Sequence, residues 1–224
     1  MLDRRKTAPA CLCMTCTLQR TGAIRAGGAP NGKAANDSTG SAARERPEGR
    51  YAGQRDDGTG LPPLHHIGMV VRDCEKTLAN LSGALGFGPA FRFEGNFPDA
   101  ILANGEKGLA LKGAFVWMRN TALEIVEPVD DRSPHAHFLK ERGEGLHHLA
   151  YWVNSVKDEI AAMARNGVPP KLLVDGTGPE NAVPWCYLEG DMAGSAIVEL
   201  IERNAGSEQV YAEIFAAIGG TIPV

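Results

Sequence analysis

The pentapeptide LHHIG at positions 64–68 returns almost unchanged as LHHLA at positions 146–150. Each copy opens a mostly apolar run that ends at a residue able to cap a helix, Asp73 in the first and Ser155 in the second. An amphipathic stretch follows each run, with apolar residues at three- and four-residue spacing. We interpret the two segments as copies of one module that begins with a strand and continues with a helix.

The second half of each copy carries another shared pattern. TALEIVEP, at positions 121–128, aligns with SAIVELIE, at positions 195–202. Glu124 then falls opposite Glu199, and Glu127 opposite Glu202. Shorter strand-like runs lie in between, namely FRFEG, GAFVWM, PKLLV and PWCYLEG. The predicted fold is therefore α+β, with two βαβββ modules that form a curved mixed sheet.

The chain divides into three predicted regions. Residues 1–60 are rich in Gly, Ala, Ser and Arg and lack apolar periodicity, so we expect a disordered tail. This tail is either a presequence or the product of a start codon placed too far upstream. Residues 61–205 form the domain, with module one at 61–132, a linking helix, and module two at 143–205. Residues 206–224 contain a C-terminal helix, predicted at Glu208 to Ile218.

Composition argues against several classes of function. The formal net charge of −4 disfavours nucleic acid as the main partner. No run of about 18 apolar residues is present, which argues against a membrane-spanning helix. The cysteines number five, and three of them crowd into the N-terminal tail, so a disulfide framework is not expected. This usage favours a reducing cytoplasm.

Strand geometry predicts where the matched histidines and glutamates of the two copies point. Residues two apart share a face, so His66 lies beside Gly68, and His148 beside Ala150. Each small neighbour leaves a concavity next to an imidazole. Glu124 and Glu199 lie between apolar neighbours, where an unpaired carboxylate needs a cation or a proton.

The remaining polar residues of the repeat are predicted to have structural roles. His65 and His147 should point to the opposite face from His66 and His148, where they serve packing or support the neighbouring histidine. His135 and His137 on the linking helix should be solvated, and Glu127 and Glu202 should reach water at strand ends. Cys74 and Cys186 have no evident paired base and are predicted to be inert.

These motifs resemble the vicinal oxygen chelate superfamily, which includes glyoxalase I, extradiol dioxygenases, bleomycin-resistance proteins and methylmalonyl-CoA epimerase. The resemblance covers about Leu64 to Glu202, and within the superfamily the sequence is most similar to the epimerase-like branch. It implies that the two modules close around one divalent metal, held by His66, Glu124, His148 and Glu199. Such ligands suit Co, Mn, Ni, Fe or Zn. It also implies that the metal binds two neighbouring substrate oxygens and assists removal of a proton α to a carbonyl.

One departure from the epimerase pattern leaves the catalytic base open. The third strand of the first module, in LKGAFVWMRN, offers no Asp or Glu, and Lys112 is the ionisable group at its start. The base is therefore Glu199, Glu124 or Lys112, or the reaction is not an epimerisation. The alternatives are a lactoylglutathione lyase-type glyoxalase, an Fe(II) extradiol dioxygenase, and a non-catalytic resistance protein that binds small molecules.

The expected partner is a small molecule, with an acyl-CoA or another thioester as the leading class. No Gly-rich nucleotide-binding loop is present in the sequence. Sheet edges left open by such modules favour pairing, so a homodimer is the default expectation.

Overall fold

The computed structural model of the chain describes residues 64–190 and 196–222. Its elements are β1 (Leu64–Val70), α1 (Cys74–Leu85), β2 (Ala90–Leu102), β3 (Lys107–Trp117), β4 (Ala122–Pro128), α2 (Pro134–Arg142), β5 (Gly145–Val153), α3 (Val156–Arg165), β6 (Leu172–Asp175), β7 (Trp185–Leu188), β8 (Ile197–Glu202) and α4 (Ala205–Ala217). The predicted order βαβββ therefore occurs twice, with α2 as the linking helix. The tail predicted at residues 1–60 lies outside the described residues.

The strands close into a barrel in the order β1-β4-β3-β2-β6-β7-β8-β5. Strands β1 and β5 are antiparallel and join the two modules, while β1 pairs with β4, and β5 with β8, in parallel. The second junction is a short antiparallel pairing of β2 with β6. The predicted curved mixed sheet is confirmed. Because it closes within the described part of one chain, the argument that open sheet edges favour a dimer no longer holds.

The two modules share one scheme for starting their helices. The side chain of Asp73 accepts a hydrogen bond from Lys76 N, and that of Ser155 accepts one from Asp158 N, as helix caps do. Glu127 Oε2 accepts a bond from Cys74 N at 3.0 Å, and Glu202 Oε2 accepts one from Val156 N at 3.2 Å. The predicted structural role of these two glutamates therefore consists of binding the first turn of the helix in their own module.

The main core fills the barrel interior. Phe93, Phe115, Trp152 and Ile201 belong to it, and helix α4 with its C-cap residue adds Val210, Tyr211, Ile214, Phe215 and Ile218. Smaller apolar clusters lie outside the barrel, one beneath α1 and one beneath α3. The C-terminal helix thus completes the interior, which its position in the sequence alone did not indicate.

The modules differ mainly in their central hairpins. Strands β2 and β3 have 13 and 11 residues, whereas β6 and β7 have 4 each. The chain is therefore longer from His66 to Glu124 than from His148 to Glu199, and longer strands account for much of the central hairpin in module one. None of the helices within the described ranges is long and apolar enough to span a membrane.

Candidate metal centre

Four side chains from four adjacent strands meet inside the barrel. His66 on β1 and His148 on β5 bring their Nε2 atoms to 3.1 Å from each other. The Oε2 atom of Glu124 on β4 lies 3.4 Å from His66 Nε2 and 3.1 Å from His148 Nε2. The Oε2 atom of Glu199 on β8 lies 3.1 Å from His66 Nε2 and 3.4 Å from His148 Nε2. The structure thus brings together the four ligands that the family resemblance implies.

The pairing register explains this convergence. Gly68 pairs with Glu124 on one side and with His148 on the other. Ala150 pairs with Glu199 on one side and with His66 on the other. Each small residue therefore lies between a histidine of the other module and a glutamate, and the two rows are related by an approximate two-fold axis. The concavity predicted beside each small residue is thus occupied, at Gly68, by the ring of His148.

The spacing of the donor atoms fits a divalent metal. First-row metals bind imidazole nitrogen and carboxylate oxygen at about 2.0–2.2 Å, so neighbouring ligand atoms lie about 3.0–3.5 Å apart. The distances of 3.1 to 3.4 Å between the histidine and glutamate atoms agree with that range. Glu199 Oε2 is buried, with the Nε2 atoms of His66 and His148 as its polar neighbours. Two imidazole nitrogens and two carboxylates that face the same point can together bind a cation at that point.

Protons compete with such a cation for the same atoms. Burial disfavours a charged imidazole, but the carboxylates of Glu124 and Glu199 outweigh it and raise the pKa of His66 to about 9. Burial also works against an ionised Glu124, yet hydrogen bonds to His148 and His66 hold the pKa of that carboxyl far below its usual range. Glu124 therefore stays ionised, and the centre attracts positive charge.

The first histidine of each pair does not point away from the centre, contrary to the alternation rule. The β1–β5 register skips one residue on each strand, His65 on β1 and His147 on β5, so each is the extra residue of a β-bulge. His65 Nδ1 lies 2.8 Å from His66 Nδ1, and His147 Nδ1 lies 2.9 Å from His148 Nδ1. Burial lowers the pKa of both bulge histidines well below the usual value, which keeps them neutral.

The prediction that His135 on the linking helix is solvated is wrong. Its side chain is fully buried, stacks on His147 with ring centroids 4.5 Å apart, and bonds to the Tyr187 hydroxyl through Nε2 at 3.2 Å. Burial lowers the pKa of His135 to about 3. Helical periodicity alone could not show this, because α2 packs its first turn against β4 and β5. His137, by contrast, is exposed and lies outside the cluster.

A cavity of about 410 Å³ opens onto the two glutamates of the candidate metal centre. Glu124 and Glu199 lie in its wall, and most of the rest is apolar or aromatic, including Phe93, Phe97, Leu111, Trp185, Tyr187 and Tyr211. No Lys or Arg lines it within residues 64–190 and 196–222. Local sequence patterns gave no sign that Phe93, Phe97 and Tyr211 line this wall. Trp185 lines the cavity, whereas Trp152 belongs to the core.

Lys112 lies apart from this cavity. Its Nζ atom is 2.7 Å from Glu127 Oε1, and its side chain is 46% exposed. Leu111 and Phe115 share the face of β3 that points into the barrel. Lys112 lies on the opposite face of that strand, so it projects outward. Cys74 and Cys186 are buried and free, and burial raises the pKa of their thiols to about 11 and about 12. High thiol pKa values agree with the expectation that both are inert.

Sequence and structure comparisons give several similar proteins. The uncharacterized protein YqjC of Bacillus subtilis (strain 168) is 35% identical over 51 residues, which are 23% of this chain and only 36% of that relative's length. A hypothetical protein BH1468 from Bacillus halodurans C-125 has 25% identity and a TM-score of 0.45 over 63% of this chain and 94% of its own. Methylmalonyl-CoA epimerase from Mycobacterium tuberculosis has 22% identity and a TM-score of 0.49 over 66% and 92%.

The family itself is shown by a sequence model. The model described as Glyoxalase/Bleomycin resistance protein/Dioxygenase superfamily matches residues 65–187, from the first histidine pair to the cavity residue Tyr187. This match confirms the resemblance drawn from the LHHIG and LHHLA motifs. Because it spans more than half of the sequence, the chain belongs to the glyoxalase, bleomycin resistance protein and dioxygenase superfamily.

Proposed function

We propose that the protein is a metal-dependent isomerase or lyase that removes a proton from the carbon next to a carbonyl group. The observation that carries this proposal is the pair of carboxylates, Glu124 and Glu199, facing two imidazoles at the wall of an apolar cavity. His66, His148, Glu124 and Glu199 would hold the ion. When bound, a divalent metal supplies Lewis-acid chemistry, which makes the neighbouring C–H more acidic by polarising the substrate oxygens.

Glu124 and Glu199 are the candidate bases in this proposal. Both line the cavity and come from strands on opposite sides of the β1–β5 pair, so they can approach a substrate carbon from two sides. A reaction that removes a proton from one face and returns one to the other needs such a pair. Lys112 is not retained as a base, because it points outward and is bound to Glu127.

The cavity wall supports a particular way of binding the substrate. Its described lining is largely apolar and lacks Lys and Arg, so it suits a small acyl group, and a bound metal would have to balance any carboxylate on that group. The phosphates of an acyl-CoA would have to lie outside it. The proposal therefore includes methylmalonyl-CoA and a glutathione hemithioacetal as test substrates. The Tyr187 and Tyr211 hydroxyls in the cavity wall are protonated donors, because burial raises the pKa of both well above the usual value.

The second carboxylate weighs against an Fe(II) dioxygenase. Such enzymes leave coordination positions open around two histidines and one carboxylate, whereas Glu124 adds a fourth protein ligand atom here. All four side chains belong to one chain, so the proposed site needs no partner subunit. We place the activity in a reducing cytoplasm, which accords with the free thiols of Cys74 and Cys186.

Proton exchange in D₂O tests the proposal. The full chain is stripped with a chelator and resupplied with Co(II), and proton NMR follows loss of the α-proton from methylmalonyl-CoA and from the hemithioacetal. We expect exchange with at least one substrate only when metal is present. The variant His66→Asn should lose this exchange, while the matched variant His137→Asn, outside the cluster, should keep it. Tight Co(II) binding without exchange of either substrate would contradict the proposed reaction.

A further inference from the structure

The two bulge histidines, His65 and His147, are buried groups that the proposed reaction does not use. Each is the extra residue of a β-bulge in the strand pair that joins the modules, and each bulge directs it toward the next histidine. The contact is the same in both modules, with Nδ1 to Nδ1 distances of 2.8 and 2.9 Å. Because the same contact occurs at both positions related by the approximate two-fold axis, the two bulge histidines share one role at the centre.

The direction of the hydrogen bonds follows from which nitrogen faces the metal-binding point. His66 and His148 turn Nε2 toward the carboxylates, so a bound cation takes the Nε2 lone pair and leaves the proton on Nδ1. The Nδ1–H of His66 then donates to His65 Nδ1, and the Nδ1–H of His148 donates to His147 Nδ1. Each bulge histidine must therefore be neutral, with its own proton on Nε2.

His65 is buried among aromatic rings. Its Nε2 atom is buried and has no nitrogen or oxygen partner in the described part of the chain. Trp152 and Tyr211 pack against the ring in T-shaped arrangements, with centroids 4.5 and 4.2 Å away. A neutral imidazole carries one proton, so a His65 ring that accepts through Nδ1 has its proton on Nε2, within this aromatic pocket. The Nδ1 lone pair is then left for His66.

His147 has the same contact in a different setting. Its ring stacks on His135 and lies edge-on to Phe138, with centroids 4.5 and 5.1 Å away. Its Nε2 atom also lacks a nitrogen or oxygen partner among the described residues. The stacked ring fixes the orientation of His147, and through it that of His148.

We propose that His65 and His147 are positioning residues that hold His66 and His148 in the Nδ1–H tautomer and in the orientation that binds the metal. The inference rests on the proposed metal-dependent function. Outer partners of ligating histidines usually are carboxylates, carbonyl groups or waters, and their loss costs about 10- to 100-fold in metal affinity. Here a neutral imidazole supplied by a bulge performs that task, once in each module.

A direct test is the tautomer of each histidine in the intact protein. Long-range ¹H–¹⁵N correlation spectra of ¹⁵N-histidine-labelled, Zn(II)-loaded chain distinguish Nδ1–H from Nε2–H. We expect Nδ1–H for His66 and His148 and Nε2–H for His65 and His147. A proton on Nδ1 of His65 and of His147 would overturn the inference, and this measurement needs no variant.

Substitutions add a second readout that does not depend on turnover. Leu at position 65 or 147 fills the space without an acceptor, whereas Asn keeps an acceptor near the place of Nδ1. We expect His65→Leu and His147→Leu each to weaken Zn(II) binding about 10- to 100-fold in a chelator competition, and the Asn variants to restore most of it. His137→Leu is the matched control and should bind as the unsubstituted chain does.

The outcomes separate this inference from the proposed function. If the unsubstituted chain binds metal and exchanges the α-proton, but both Leu variants bind Zn(II) equally well, the positioning role is refuted and the function stands. If the unsubstituted chain binds no metal, both are refuted. Weaker binding by a Leu variant whose thermal unfolding in the metal-free form matches that of its Asn counterpart supports the inference.

Discussion

The backbone of Gly68 lies against the imidazole of His148, so closely that a Cβ on residue 68 would overlap three atoms of that ring. The two residues face each other across the β1–β5 pair, in the same row as Glu124. The ring of His148 reaches the centre because residue 68 has no side chain. This contact joins the two modules at the point where their ligand atoms meet.

Gly68→Ala should therefore weaken metal binding. The new methyl group would force the His148 ring away from Glu124 and His66, which misplaces one of four ligand atoms. We expect at least about a tenfold loss of Co(II) affinity, the lower end of the effect of disturbing a ligand's support. Gly83→Ala is the matched control, because a Cβ there meets nothing within 4 Å. Equal Co(II) affinity of the two variants would contradict the close approach.

Replacing either carboxylate should remove both metal and proton exchange. Glu124→Gln and Glu199→Gln keep the size of the side chain and remove a negative charge from the centre. We expect each to lower metal affinity and to abolish α-proton exchange in D₂O, with metal content measured in parallel. Glu189→Gln is the control, since Glu189 is paired with Lys171 away from the cavity. Full exchange by Glu124→Gln would remove Glu124 from the proposed site.

Lys112→Ala should leave α-proton exchange unchanged. Lys112 lies on the outer face of β3 and pairs with Glu127, so its loss changes an exposed contact. Exposed pairs of this kind contribute about 0–1 kcal/mol to the free energy of unfolding. Turnover and urea unfolding of the variant check both expectations. A large fall in turnover with unchanged stability would return Lys112 to the list of bases.

Glu127 and Glu202, which bind the first turns of α1 and α3, should contribute to the free energy of unfolding and not to metal binding. Glu127→Ala and Glu202→Ala each remove the acceptor for the first backbone N–H of a helix, in α1 and α3 respectively. Loss of a side-chain cap lowers the free energy of unfolding by about 0.5–2 kcal/mol. Chemical denaturation of the metal-free chain measures this change. An unchanged unfolding free energy in both variants would show that these bonds are not retained in solution.

The metal-free protein should be most stable near pH 6.5. His135 has a folded pKa of about 3 against an ordinary value of 6.5, so unfolding takes up a proton as pH falls below 6.5, and stability is lost. His66 has a folded pKa of about 9, so its contribution is present below 6.5 and is lost as pH rises to 9. Urea unfolding between pH 5 and pH 9, with chelator present, measures this profile. His135→Phe should reduce the acid limb, and an unchanged acid limb would contradict its neutral, buried state.

Local patterns in the sequence were sufficient for the module order. Alternation, helical spacing and the caps Asp73 and Ser155 depend on neighbouring residues, so the βαβββ repeat could be predicted from them. The equivalence of His66 with His148, and of Glu124 with Glu199, could be predicted too. A duplicated motif marks equivalent positions, and two copies of one fold meet at their equivalent strands.

The contacts that depend on register could not be predicted in this way. The alternation rule places His65 and His147 on the wrong side, because a bulge adds one residue to each strand and redirects both rings. The rule also treats His135 as a surface residue, since helical spacing does not say which neighbour covers a short helix. Lys112 was a candidate base because it lies at the start of the third strand of module one. The alternation of side chains along that strand places it on the outer face of the barrel.

The sequence by itself determined the repeat, the family and the four residues that face one another. The repeat and its matched residues follow from short-range periodicity and from the equivalence of the two copies, and the family follows from the resemblance of the histidine and glutamate motifs. Only the tertiary structure decided the closed barrel, the cavity wall built with Tyr211 from α4, and the buried imidazoles behind His66 and His148. Those features arise where strands and helices distant in sequence pack together, and packing depends on register and volume rather than on local pattern.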